Sequence, residues 1–511
     1  MFEKYLMLFV YFSGLLGLSY LASKRVKDLK DYFAGGKQLG YWVAAFSTQA
    51  TGESAWLLLG LTGMGAMIGV TAYWVVIGEV LGVFVAWFIM AKRFKRLTDH
   101  YDSLTMTDYL VSRLRPHTNT LRFLAAFTLA TFSVIYISAQ IDATGSAFER
   151  FLGWDYFVGA VFGFAVVVIY CVTGGFLAVA WTDLVQGVIM VACLVTLPLI
   201  TLIGLPDSPR IIEGLRVIDP ALLGFFGGHG PNLMGAMTVL GMMLIGLGFM
   251  GSPQIFARFI AIKDEEELKK GKWVAVIFTF LVGVSAVSIG ILGRYIFTGV
   301  DVDPENVMGN GAQNVLPDLV DYNFPPLIVG FYVAAVLSAI MSTVSSLLIM
   351  AAGSVTNDLY KKIYCPDLAG EVASRLSRWV TLGIAILSLV LAMTVAMVSP
   401  DRTIFWFAIF GWSGIAATFC PAVILSLFWR GYTVTGAISS IIVGFLSIPI
   451  FKFVVQDMES VGSYFTALEA LPPAFIASLL VGILASKLLP QNNLEERYNQ
   501  DLTEVQSKNT R

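Results

Sequence analysis

The sequence predicts an all-α polytopic membrane protein with about thirteen transmembrane helices. Three observations predict it: a composition too apolar for a water-soluble fold, a succession of apolar runs of spanning length, and basic residues gathered in alternate loops. Of 511 residues, 57% are apolar and 13% charged, against roughly 25% charged in an ordinary soluble domain. A soluble chain of this length has too much surface to solvate and too little core to hide that much apolar side chain. Hydrocarbon is the solvent that accepts the excess. The formal net charge of −2 gives no sign of nucleic-acid binding. Cys171, Cys193, Cys365 and Cys420 show no paired spacing, so neither a disulfide framework nor a zinc site is indicated.

A span needs about 20 mostly apolar residues. Thirteen runs qualify: 4–23, 39–62, 66–91, 121–148, 156–177, 181–204, 232–257, 273–297, 326–352, 376–398, 403–428, 432–452 and 471–489. The first follows Phe2-Glu3-Lys4 without a basic n-region or a small-residue cleavage site, so it reads as a span rather than a removed signal. Basic residues set the orientation. They cluster after span one (Lys24, Arg25, Lys27, Lys30, Lys37) and after span three (Lys92, Arg93, Lys95, Arg96, Arg113, Arg115, Arg122). Further clusters follow span seven (Arg258, Lys263, Lys269, Lys270, Lys272) and span nine (Lys361, Lys362, Arg375, Arg378). The 298–325 loop has no Lys or Arg but holds Asp301, Asp303, Glu305, Asp318 and Asp321. The expected arrangement is N-terminus outside and tail 490–511 in the cytoplasm, in a plasma or bacterial inner membrane.

Backbone groups in hydrocarbon must be paired, so helix breaks survive only where they line a protein-buried cavity. Span two carries Ser47-Thr48-Gln49-Ala50-Thr51-Gly52-Glu53-Ser54-Ala55-Trp56, a polar patch at mid-membrane, and span seven carries Gly246-Leu247-Gly248-Phe249-Met250-Gly251-Ser252-Pro253. The two breaks are five spans apart. Because five is odd, spans two to six and seven to eleven form two repeats of opposite topology, the arrangement in which carriers place ion and solute sites. The plainer reading is close helix packing at glycine, but packing asks for no Glu, Gln or hydroxyls beside the break. Domain organisation follows: 1–38, first helix and loop; 39–204, first repeat; 205–231, external loop; 232–428, second repeat; 429–489, two further helices; 490–511, tail.

In span nine, Ser338, Ser342, Thr343, Ser345 and Ser346 recur at helical spacing on one face. Such hydroxyls often bond only their own i−4 carbonyl. Beside a broken helix they complete an oxygen cage for a hard cation such as sodium. Four acids, Glu53, Glu79, Asp142 and Asp183, fall inside spans, where a bare carboxylate costs ~2.5–3.5 kcal/mol even on lenient scales. Each must face the bundle interior, be protonated or hold a cation. Glu53 is read as serving a cation site or a solute amine, against a structural hydrogen bond. Glu79 meets a solute ammonium or a helix N-terminus; Asp142, near Gln140 and Tyr136, is a structural or gating partner. Asp183 is a helix cap or an ion-pathway group, and Asp358 belongs to a solvated segment. His100, His117 and His229 all lie in loops, which offers no proton relay.

Several stretches resemble the sodium/solute symporters, and within them the sodium/proline symporter branch. The most specific is Gly174-Gly175-Phe176-Leu177-Ala178-Val179-Ala180-Trp181-Thr182-Asp183. Asp31-Tyr32-Phe33-Ala34-Gly35-Gly36, Ser54-Ala55-Trp56-Leu57-Leu58, Ala257-Arg258-Phe259, Met341-Ser342-Thr343 and Val355-Thr356-Asn357-Asp358-Leu359-Tyr360 extend it over nearly all of 28–450. The resemblance implies a leucine-transporter-type 5+5 inverted repeat with one helix before and two after. It implies a sodium site of the Ala50, Glu53 and Ala339 carbonyls with the Ser342 and Thr343 hydroxyls. A second cation position would use Asp183 with Ser342, Ser345 and Ser346. The solute pocket would be Ser54, Ala55, Trp56, Tyr136, Ile245 and Phe249; independently of the resemblance, their place inside spans makes Glu79, Gln140 and Asp142 further solute or gating candidates. Two positions depart from the branch: Gly52 stands where an aspartate needed for sodium is usual, and Ile245 where a tryptophan is expected.

The function implied is sodium-coupled import of a small zwitterionic solute, proline or a related amino acid. No cofactor is expected beyond sodium as coupling ion, and no partner beyond the solute, sodium and the bilayer. A proton-coupled carrier using Glu53 or Glu79 is the first alternative. A channel would offer a selectivity motif or a ring of like charges, and an enzyme would cluster titratable groups at one face; neither pattern is present in the sequence.

Overall fold

The computed structural model describes residues 2–25, 29–205 and 208–508. Lys27 lies outside the described residues, as does the side chain of Lys30. Eleven helical runs among them are long and apolar enough to cross a membrane. Two are too long for one crossing, Tyr41–His100 with 60 residues and Tyr156–Gly204 with 49, since about 20 suffice. Each breaks at a glycine with positive φ: Gly69 (φ 59°, ψ −132°) and Gly175 (φ 59°, ψ −160°). Counted as two crossings each, they bring the total to the thirteen read from hydropathy.

The helices that matter here are α1 (Phe2–Ser23), α2 (Tyr41–Ala55), α3 (Tyr73–Phe84), α4 (Thr120–Leu152), α5 (Tyr156–Gly204), α6 (Leu233–Leu244) and α7 (Pro253–Ala261). They continue with α8 (Glu265–Phe297), α9 (Pro326–Gly353), α10 (Gly370–Val398), α11 (Ile404–Phe428), α12 (Val434–Ile450) and α13 (Leu471–Leu488). Burial sorts them into layers. The apolar windows of α9 and α11 are 83% and 89% buried, against 28% for α1, α10 and the run containing α12. The first pair forms the bundle interior, while the others turn apolar side chains such as Phe9, Ile386 and Leu446 outward, where lipid is their solvent.

Two segments named only as loop and tail contain helix, and one expectation, a solvated Asp358, is corrected. The 205–231 loop contains a helix, Ser208–Ile218, and a short turn of helix, Pro220–Leu223. The tail is not merely a polar extension: Leu494–Lys508 is helical, and its Leu494, Tyr498 and Val505 are buried. Arg113 lies 3.4 Å from the Tyr498 ring centre, and Asp501 accepts from Arg115 at 2.8 Å and Tyr101 at 2.7 Å. Asp358 is fully buried rather than solvated. Past α9 the chain continues as a π-helix, Ser354–Tyr364, which turns Asp358 inward to accept from Thr105 and Asn357, each at 2.9 Å.

Candidate functional site

The polar patch of span two breaks where the sequence suggested. Ser54 has φ 45° and ψ −167° inside α2, a conformation that costs about 1–3 kcal/mol in a residue other than glycine. Partners on α4 hold it there. Tyr136 OH and Gln140 Nε2 donate to Ser54 Oγ at 3.2 and 3.3 Å, and Gln140 Oε1 accepts from the Ala55 N–H at 3.1 Å. The Trp56 indole donates back to the Gly52 carbonyl at 3.2 Å. Beyond the break the chain resumes as a π-helical turn, Trp56–Leu61.

Span seven breaks opposite. α6 gives way to a 3₁₀ stretch, Ile245–Met250; Gly251 takes φ 155°, Ser252 is extended, and Pro253 opens α7. The carbonyl of Ile245 accepts from the indole of Trp412 on α11 at 3.1 Å. That indole packs 5.1 Å from the Phe249 ring and 6.4 Å from Tyr136. Ser54, Ala55, Trp56, Tyr136, Ile245 and Phe249 are all buried around the two breaks. A Cβ built on Gly52 would stand 2.6 Å from the Phe249 ring, so an aspartate cannot enter this position unless Phe249 moves.

The hydroxyl row of α9 divides by function. Ser342 Oγ donates to the Ala50 carbonyl at 2.8 Å, and Thr343 Oγ1 to the Thr51 carbonyl at 2.9 Å. Both hydroxyls also lie near the Ala339 carbonyl, at 3.0 and 3.3 Å. Oxygen atoms from α2 and α9 thus converge in one buried place, a donor set that suits a hard monovalent cation. Thr51 was not among the residues expected there. Glu53 carries its carboxylate elsewhere, and its carbonyl accepts from the Trp56 N–H. Ser338 instead bonds Tyr11 OH at 3.0 Å, and Ser345 donates to the Ser342 carbonyl at 3.1 Å.

Asp183 and Ser346 meet, but around a side chain. Arg258 Nη2 donates to Asp183 Oδ2 at 3.0 Å, to Thr51 Oγ1 at 2.9 Å, and to Ser346 Oγ. Ser47 donates to the same Asp183 oxygen at 2.6 Å. The positive charge at the expected second cation position is therefore a guanidinium, and Ser345 stands outside it. Asp142, towards the other end of α4, pairs with Arg402 and accepts from Tyr156 OH at 2.6 Å. It is an inter-helix tie rather than part of the pocket.

A cavity of about 260 Å³, lined by residues that include Gly60, Met64, Gln313, Thr403, Phe405 and Trp406, leads towards the break from the side of the acidic 298–325 loop. Phe405, on the wall of this cavity, stands edge-on to Trp56 with ring centres 6.0 Å apart.

The sequence profile of the sodium:solute symporter family matches residues 32–444. The chain belongs to that family. It is 33% identical over 491 residues to the high-affinity proline transporter PutP of Bacillus subtilis, covering 95% of this chain and 98% of that one. To the osmoregulated proline transporter OpuE of the same species it is 30% identical, over 94% of this chain and 93% of that one. To sodium/proline symporter 2 of Staphylococcus saprophyticus it is 31% identical, over 95% and 93%. Among solved structures, a sodium-coupled sialic acid symporter in its outward-open state superposes with a TM-score of 0.77 at 17% identity, covering 96% of this chain and 99% of that one. Mhp1, a nucleobase-cation-symport-1 transporter, does so at 0.56 and 13%, covering 92% and 98%. These likenesses show the leucine-transporter-type fold, and family membership supports an integral membrane carrier that couples solute to sodium.

Three side chains of this symporter escaped the sequence reading. Trp412 had a signal: a tryptophan far from either end of its span, between Gly411 and Gly414, is no interfacial anchor. Arg258 was counted only as a loop charge and a motif letter, and Arg402 was not singled out. The rule that a buried acid needs a counter-charge pointed to them, but not to which arginine serves which acid.

Proposed function

We propose that this symporter imports sodium together with a small zwitterionic solute, proline or a related amino acid, across the plasma membrane. In this reading the N-terminus lies outside and the tail helix in the cytoplasm, supported by the alternation of basic loops. The observation that carries it is the pairing of the α9 hydroxyls Ser342 and Thr343 with the α2 carbonyls of Ala50 and Thr51, beside the Ser54 break.

A sodium ion held by these oxygens joins α2, which belongs to a four-helix unit with α3, α6–α7 and α8, to α9, which does not. The ion therefore binds one orientation of the unit better than the other, and only such differential affinity shifts the equilibrium. The solute pocket is built on the same break in α2. Ordering α2 for sodium also orders Ser54, Ala55 and Trp56 for the solute, which couples the two ligands. The broken helix presents polar backbone to the charged ends of a zwitterion, while Trp56, Tyr136, Phe249 and Trp412 wall its hydrocarbon part. Trp412 thus supplies the aromatic surface that Ile245 lacks. Inward sodium movement drives the solute, each charge contributing ~2.3 kcal/mol at ~100 mV. Its similarity to three bacterial proline transporters favours proline.

Uptake of labelled proline into proteoliposomes under imposed sodium or proton gradients tests the coupling. Accumulation driven by sodium alone is the expected result. Accumulation driven equally by protons without sodium overturns it in favour of proton coupling, and gradient-independent flux favours a channel. Competition by unlabelled amino acids, osmolytes and carboxylates then ranks the solutes.

A further inference from the structure

Two buried acids take no part in the site just described. Gln49 and Glu53 are one helical turn apart on α2 and so share a face, which looks away from the α9 hydroxyls and towards α3 and α8. Gln49 Nε2 donates to the Ala275 carbonyl at 3.0 Å and to Thr279 Oγ1 at 2.6 Å, both on α8. The Glu53 carboxylate interacts with the same Thr279 side chain and with the charge of Glu79 on α3. Glu53, Glu79, Gln49 and Thr279 are all 0% exposed.

Apart from the Thr279 hydroxyl beside Glu53, the four Glu53 and Glu79 carboxylate oxygens have no hydrogen-bond donor among the described residues, and neither has the Gln49 amide oxygen. No basic side chain among the described residues interacts with either acid. The contrast with the other intramembrane acids is sharp: Asp183 has Arg258 and Asp142 has Arg402. Two like charges with no counter-charge among the described residues are costly in a membrane interior and are relieved there by a proton or by a bound cation. The Gln49 amide is a separate indicator. Its nitrogen is fixed by α8, which leaves its oxygen, a pure acceptor, in the same cluster with no hydrogen to accept. Carboxylate, amide and hydroxyl oxygens together make the all-oxygen donor set of a hard cation.

We propose that Glu53, Glu79, Gln49 and Thr279 form a second sodium site, enclosed within the four-helix unit and distinct from the one shared with α9. This inference rests on the sodium-coupled reading above and adds to it a second ion with a different task. The first ion joins the unit to α9. The second lies wholly among α2, α3 and α8, travels with the unit, and fixes the two breaks relative to each other. α3 reaches both: the charge of Glu79 acts on Glu53, just before the Ser54 break, and Gly78 packs against the backbone of Met243 and Gly246 at the span-seven break. One sodium ion leaves one unit of negative charge in the cluster.

The test uses the full-length protein, purified in detergent, with radioactive sodium as the probe. Equilibrium binding is measured for the wild type, E53Q, E79Q, the S342A/T343A double variant, and that variant combined with E79Q. The expected stoichiometry falls from about two sodium ions per chain to about one in E53Q, in E79Q and in S342A/T343A, and to none in the combination. E79D retains the second ion at reduced affinity, which separates a lost ligand from a misfolded protein. So does heat stability: sodium raises the wild-type Tm, and raises that of E79Q by less. E53Q and E79Q binding as much sodium as the wild type overturns the carboxylate site, including the case in which the pair carries only a proton. A wild type that binds one ion, lost in S342A/T343A and kept in E79Q, overturns this site while leaving the coupling site intact. Absence of any sodium binding in the wild type overturns the coupling reading itself.

Discussion

Trp412 donates its indole N–H to the carbonyl of Ile245 at 3.1 Å, so a ring from α11 closes over the broken stretch of span seven. Position 245 supplies backbone, and α11 supplies the aromatic face. A pocket wall can thus pass from one helix to another when two spans cross at a break, because the freed carbonyl gives the incoming indole an anchor.

Trp412→Ala removes both wall and anchor. It should raise the solute KM about tenfold or more, since losing the burial of an aromatic face costs about 1.5–3 kcal/mol. Sodium half-saturation should change far less. Trp412→Phe should fall between, keeping the ring and losing the donor. Initial uptake rates over a solute series check this; an unchanged KM in Trp412→Ala removes the residue from the pocket.

Ser342→Ala and Thr343→Ala each delete one oxygen facing α2. Each should raise the sodium concentration for half-maximal uptake about tenfold, equivalent to ~1.4 kcal/mol, with expression intact. Thr343→Ser should stay near wild type because the hydroxyl is preserved. Sodium titrations of uptake decide it, and wild-type curves in both alanine variants would dismiss the coupling site.

Gly52→Asp should inactivate the carrier, because its Cβ meets the Phe249 ring. Adding Phe249→Ala should recover thermal stability towards the wild-type value. A fully active, stable Gly52→Asp single variant would show that Phe249 yields freely.

Arg258→Gln leaves Asp183 buried without its counter-charge, a change worth about 3–5 kcal/mol. The Tm should fall markedly, and the Asp183→Asn partner change should restore much of it. Undiminished stability together with an extra bound sodium ion in Arg258→Gln would return Asp183 to the cation sites.

What the sequence determined by itself was set by solvent and periodicity. Apolar excess and run length dictated a thirteen-span helical protein, because hydrocarbon leaves a backbone few ways to satisfy its hydrogen bonds. The polar patch at 47–56, the glycines of 246–251 and the hydroxyl spacing of 338–346 marked both breaks and the face opposite them. Tertiary structure alone decided the partners. Whether a buried acid meets an arginine, a hydroxyl or another acid depends on how helices far apart in the chain are rotated against each other. Local spacing does not encode that rotation, because it is set by packing over the whole bundle. So Asp183 found Arg258, Asp142 found Arg402 and Asp358 turned inward, whereas the buried Glu53 and Glu79 act on each other with no basic partner among the described residues.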